Sequence, residues 1–160
     1  MWRADRRLSR VPAERSRVCG SVAPAGVESS DPPASISAVE VSRTIIVLDA
    51  ADLDEVSSFW ARLLGGTVDP EDDWHTVRVD GEARLGIQLA PDHVAPRWPT
   101  EPGHPQQQIH LDLFVTDPPA AHEHALAVGA RLVQPADLSA AAGFEVYTDP
   151  AGHPFCLCWG

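Results

Sequence analysis

The chain has 160 residues, with 12 Lys and Arg against 23 Asp and Glu. Six of the arginines lie in the first 40 residues beside five acids, so the remainder holds 6 basic and 18 acidic residues, a net of −12. That remainder repels nucleic-acid phosphate and anionic lipid, whose binding rests on clustered Lys and Arg, and so excludes nucleic acid and membrane surfaces as partners.

Residues 1–40 mix Arg, Ser, Ala, Pro and Gly without apolar periodicity, so they read as a disordered N-terminal extension. Arg6-Arg7 is followed by Leu8-Ser9-Arg10-Val11-Pro12, not by the apolar run of about 7–15 residues that an export signal needs. No stretch approaches the ~18–20 apolar residues of a membrane span. Cys19, Cys156 and Cys158 make an odd count, and the last two sit two apart on a predicted strand, a geometry that disfavours a disulfide. Reduced thiols and a cytoplasmic location are expected.

Length sets one domain as the prior, and residues 41–160 supply it. Thr44-Ile45-Ile46-Val47-Leu48 is a β-branched run that predicts a buried strand. A helix follows, with Asp52 as N-cap, Glu55 completing a capping box, apolar Val56, Phe59, Trp60, Leu63 and Leu64 at helical spacing, and Gly65-Gly66 as its stop. Three short strands are predicted over 67–69, 74–80 and 84–90, with Asp80-Gly81 as the hairpin turn. Five prolines between 91 and 107 mark a linker that cannot join a sheet interior.

The order then recurs. A strand is predicted over 108–115, a helix over 118–128 capped by Asp117 and stopped by Gly129, and strands over 130–133, 144–148 and 154–159. Asp52 to Gly65 spans 13 residues and Asp117 to Gly129 spans 12. The fold class expected is α+β: two βαβββ repeats, about 43–90 and 108–159, forming one curved mixed sheet with a concave ligand cleft.

Asp52 with Phe59-Trp60 and Leu63-Leu64-Gly65-Gly66, the run His110-Leu111-Asp112-Leu113-Phe114-Val115-Thr116-Asp117, and Asp149-Pro150-Ala151-Gly152-His153-Pro154-Phe155-Cys156-Leu157 carry a resemblance. In order, spacing and twofold repetition, residues 43–159 resemble the vicinal oxygen chelate superfamily, and within it the glyoxalase-like branch. The resemblance implies the fold but no single activity, since the superfamily includes isomerases, epimerases, dioxygenases, thiol transferases and antibiotic-sequestering proteins. It also implies a homodimer, because such modules often pair across subunits.

Metal-using members draw His and Glu ligands from the first and last strand of each repeat. By that resemblance His110 stands at the ligand position of the second repeat's first strand, Cys156 at the Glu position of its last, and Gln88 where the first repeat usually has a carboxylate. The first strand offers only Thr44 or Ile45. The cofactor expected is therefore none, or one divalent metal (Zn, Fe, Ni or Mn) on His110 and Cys156 with help from Asp112 or Glu145.

Period-2 geometry puts Asp112 on the face of His110, where it would orient the imidazole or act as a general base, so these two are the catalytic candidates. The ligand-contact candidates are Gln88, His110, Asp112, Glu145, Tyr147 and Trp74, with Trp98 also placed to edge a cavity. His122 and His124 share no helix face and default to the surface, and His93 and His104 have no nameable partner.

Two functions follow. One is a metal-independent module binding a small organic ligand; the other is a metal-dependent lyase, isomerase or dioxygenase using His110 and Cys156.

Overall fold

The computed structural model describes residues 40–160. All but the last residue of the extension expected over 1–40, Cys19 included, lies outside them. The elements run β1 (Ile46–Ala50), α1 (Leu53–Leu64), β2 (Thr67–Pro70), β3 (Trp74–Val79) and β4 (Glu82–Leu89), then β5 (Leu111–Phe114), α2 (Pro118–Val128), β6 (Arg131–Gln134), β7 (Gly143–Thr148) and β8 (Pro154–Trp159).

Local chemistry sets the helix ends. The Asp52 carboxylate accepts the Glu55 N–H at 2.9 Å, and Asp117 accepts that of Ala120 at 3.0 Å, each satisfying an otherwise unpaired amide of the first turn. Gly65 closes α1 in the left-handed region at φ 67°, which costs a glycine nothing. In the β3–β4 hairpin both Asp80 (φ 52°) and Gly81 (φ 79°) take positive φ, the combination that matches the twist of the flanking strands.

Each half builds its sheet in the same way. β1 joins β4 in parallel, with Asp49 opposite Gln88, and β4, β3 and β2 continue antiparallel. β5 joins β8 in parallel, with Asp112 opposite Cys156, and β8, β7 and β6 continue antiparallel. The βαβββ unit is thus present twice, and the α+β class stands.

The eight strands hydrogen-bond as two four-stranded sheets, not as the single continuous sheet expected, with β1 and β5 at their edges. Alternating hydrophobicity says which face of a strand is buried; it does not say which edges pair. β5 is also shorter than predicted. The chain over 106–110 is held by the linker instead, with Gln106 bridged to Arg97 and Gln107 bonded to His110, so His110 precedes β5.

One face of each sheet packs into a shared core. Ala50, Phe59, Val77, Ile87, Tyr147 and Phe155 are all fully buried. The core joins the halves: the Phe59 and Trp60 rings of α1 lie 6.0 and 5.2 Å from Phe155 of β8, and Tyr147 stacks on Phe155 at 5.5 Å. Each such aromatic pair adds about 0.5–1.5 kcal/mol beyond its buried area. No helix among the described residues is long and apolar enough to cross a membrane.

Candidate functional site

The faces that the helices leave open are set by the same alternation. On β1, Leu48 and Ala50 are buried while Val47 and Asp49 are exposed; on β4, Leu85 and Ile87 are buried while Gln88 is exposed. Asp49, Gln88 and Trp74 form one row across the first sheet, and Val47, Gly86 and Thr76 the next. A Cβ on Gly86 would run into the Trp74 ring, so glycine at 86 lets the indole lie flat on the sheet.

In the second sheet the matching rows are Asp112–Cys156–Val146 and Phe114–Cys158–Phe144. By register Cys156 is the counterpart of Gly86, and Cys158 that of Gln88. Phe114 is 78% exposed and Phe144 is 47% exposed. The linker crosses this face: Trp98 packs on Val146, Cys156 and Cys158, and its ring centroid lies 5.7 Å from that of His110.

His110, Asp112 and Cys156 come together, with one donor atom from each within 4.8 Å of the others. Gln107 donates its side-chain N–H to His110 Nδ1 at 3.1 Å, which leaves the proton on Nε2, 3.2 Å from Asp112 Oδ1. Burial, with the Asp112 charge second, pushes the Cys156 thiol up to about 12 and moves Cys158 the same way. An imidazole, a carboxylate and a deprotonable thiol fit a mixed-donor divalent site. Such a metal would hold Cys156 as thiolate and supply a Lewis acid. Gln88 belongs to the other sheet and is not part of this cluster.

Glu145 and Tyr147 are not brought to that face. The alternation that puts Phe144 and Val146 outward turns them toward α2, where they are 2% and 0% exposed. Tyr147 O–H donates to Glu145 Oε2, His122 Nδ1 lies 2.8 Å from both, and the Ala136 N–H donates to Oε1 at 3.1 Å. Burial raises the Glu145 carboxyl, but the bonds from Tyr147, His122 and Ala136 outweigh it and hold the group below its ordinary value. Burial and the neighbouring carboxylate move Tyr147 the opposite way, upward. His122, assigned to the surface from sequence, is therefore a partner in a buried cluster. The sequence carries no signal for it, because the distance from α2 to β7 is tertiary.

A cavity of about 540 Å³ lies between the open face of β1 and the linker. Val47, Asp49, Gln88, Gln107, Ile109 and His153 are among its lining residues, so of the residues expected to touch ligand it takes Gln88. Trp74 is cross-strand neighbour to Gln88, and His110 does not line the cavity but is bonded to Gln107, which does. Trp98 lines a separate cavity of about 560 Å³ under the linker, beside Arg131 and Thr148. His93, without a nameable partner from sequence, donates to Ala151 O at 3.0 Å, and its ring lies 4.9 Å from that of His153 at a tilt of 39°.

A family profile described as a glyoxalase-like domain matches residues 45–158. Solved structures with a similar fold include the fosfomycin resistance protein FosX from Mesorhizobium loti, at 12% identity and TM-score 0.58 over 76% of this chain and 94% of that one. A bleomycin-binding protein complexed with bleomycin aligns at 16% identity and TM-score 0.51, over 75% and 99%. A glyoxalase/bleomycin resistance protein/dioxygenase from Nocardioides aligns at 18% identity and TM-score 0.54, over 78% and 86%. At these identities the structural likeness shows the fold alone. No curated protein matches the sequence. The profile spans both βαβββ units and their linker, and the chain belongs to the glyoxalase-like domain family of the vicinal oxygen chelate superfamily.

Proposed function

We propose that this protein binds a small organic molecule in the cavity between β1 and the Pro-rich linker. The carrying observation is that cavity of about 540 Å³, whose wall sets apolar Val47 and Ile109 beside the uncharged amides of Gln88 and Gln107. Ligand sites are clefts of about 300–1,000 Å³ with mostly apolar walls and a few placed polar groups. Trp74 flanks Gln88, and His110 and Asp112 stand behind Gln107. The bleomycin-binding protein of the same fold, solved with bleomycin, supports a binding role. The working form in this reading is a cytoplasmic homodimer, the second copy covering the exposed Phe114 and Phe144.

Titration calorimetry against a fragment set tests the reading. Protein stripped with chelator binds its best fragment as tightly as untreated protein; loss of all binding on chelation contradicts it.

A second reading rests on one specific observation, the convergence of His110, Asp112 and Cys156. With a divalent metal there, the protein would be a lyase, isomerase or dioxygenase in which these three residues hold the ion. Elemental analysis of protein purified without added metal decides. Near-zero occupancy, unchanged in His110→Ala, removes the second reading.

A further inference from the structure

The turn between β7 and β8 places a fully buried carboxylate, Asp149, directly behind the cavity wall; it is 1% exposed. Asp149 Oδ1 accepts the backbone N–H of His153 at 2.9 Å. Its Oδ2 accepts both the Trp60 indole N–H at 3.0 Å and the His153 ring at Nδ1, 2.9 Å away. A carboxylate only accepts, so Nδ1 carries a proton, and in the neutral form of the ring Nε2 is left as an acceptor. Among the described residues no buried side-chain nitrogen or oxygen lacks a partner. The hydrogen bond to His153 runs through Nδ1, its side chain is 16% exposed, and it lines the cavity, so Nε2 is open to what the cavity holds.

The surroundings define what such an acceptor meets. Facing the cavity, the titratable groups are Asp49, His93 and His153, with Asp149 behind. Asp49, Asp149 and the acidic surplus of the domain disfavour entry of a preformed anion. The Gln88 and Gln107 amides offer N–H donors to an oxygen that gains charge only after entry.

We infer that His153, held by Asp149, is the proton acceptor for a neutral ligand bearing a weakly acidic hydroxyl, a phenol or an enol. The inference rests on the cavity being the ligand site. The ligand O–H bond breaks, its proton joins Nε2, and the electron pair stays on the oxygen; the imidazolium formed faces the Asp149 carboxylate. Asp149 is a positioning residue that fixes the tautomer and balances that charge. No oxidant or further reactant is required.

The probe is 4-nitrophenol, whose ionised form is coloured, added to the full chain at a pH below its ionisation in water. Wild type binds it and develops the phenolate band. His153→Gln, verified as folded by circular dichroism, still binds but loses the band at least tenfold. Asp149→Asn, where it folds, weakens the band with the probe still bound. Binding with an equal band in wild type and His153→Gln overturns the proton-acceptor role and leaves the cavity reading standing. Absence of binding to wild type, shown by unshifted Gln88 and Gln107 amide resonances, overturns both. The wild-type comparison alone is decisive if the variants unfold: a bound probe that stays colourless sinks the inference.

Discussion

The Trp60 indole on α1 donates its N–H to the Asp149 carboxylate at 3.0 Å, tying the first half of the chain to the last turn of the second across 89 positions. Both groups are almost wholly buried, at 1% exposure each. Hydrogen bonds to buried charged groups contribute about 1.5–3 kcal/mol, and the loss of ring volume adds to this. Trp60→Phe therefore lowers stability by about 3 kcal/mol in urea denaturation. A loss below about 1 kcal/mol contradicts the role of this bond in joining the halves.

The buried cluster behind the second sheet gives a pH signature. Glu145 has its folded-state pKa below the unfolded value, so its contribution is present above the unfolded value and is lost as pH falls through the folded one. Glu145→Gln costs about 1–3 kcal/mol near neutral pH. The gap between variant and wild type closes in acid, below the ordinary carboxylate range. A gap that stays constant across that range shows that Glu145 acts by packing and not by charge.

Gly86 is the one place on the first sheet where the Trp74 ring requires the absence of a side chain. Gly86→Ala lifts the indole off the strand and breaks its N–H bond to Thr76, 3.0 Å in the native chain. Overpacking of this kind costs about 1–3 kcal/mol. The Trp74 emission moves to the red, and the hydroxyl-lacking Thr76→Val control separates loss of the bond from loss of the space.

Cys156, raised to about 12 by burial and then by Asp112, is a protonated thiol at neutral pH. Iodoacetamide labels it slowly in the native state and at the rate of a free thiol once the chain is unfolded. Asp112→Asn speeds native-state labelling, because the second cause of the shift is gone. Added zinc that protects Cys156 further, and fails to do so in His110→Ala, would favour the metal-bound reading.

Much of the fold was legible because its signals are local. Asp52 and Asp117 cap the helices assigned to them, α2 spans the residues its cap and Gly129 stop define, and the repeat spacing announced two like units. The pairing of strands was not legible, since whether eight strands form one sheet or two depends on edges that no period-2 pattern specifies.

At the site, alternation put Asp112 on the face of His110, and the two do approach to 3.2 Å, but His110 precedes β5 and its bond to Gln107, not strand alternation, holds it there. The same rule, applied to β7, would have shown that Glu145 and Tyr147 share a face opposite to Phe144 and Val146; which of the two faces looks to α2 is a tertiary fact. The run Asp149-Pro150-Ala151-Gly152 read only as a turn, because a turn motif does not reveal that its first carboxylate meets Trp60 and His153.

The ligand site is tested most directly by nuclear magnetic resonance on isotope-labelled protein titrated with the tightest fragment found by calorimetry. The largest shifts are expected on the side-chain amides of Gln88 and Gln107 and on the backbone of Val47 and Ile109. Shifts confined to the Glu145–His122 side of the second sheet, with those four residues unmoved at saturation, would contradict it.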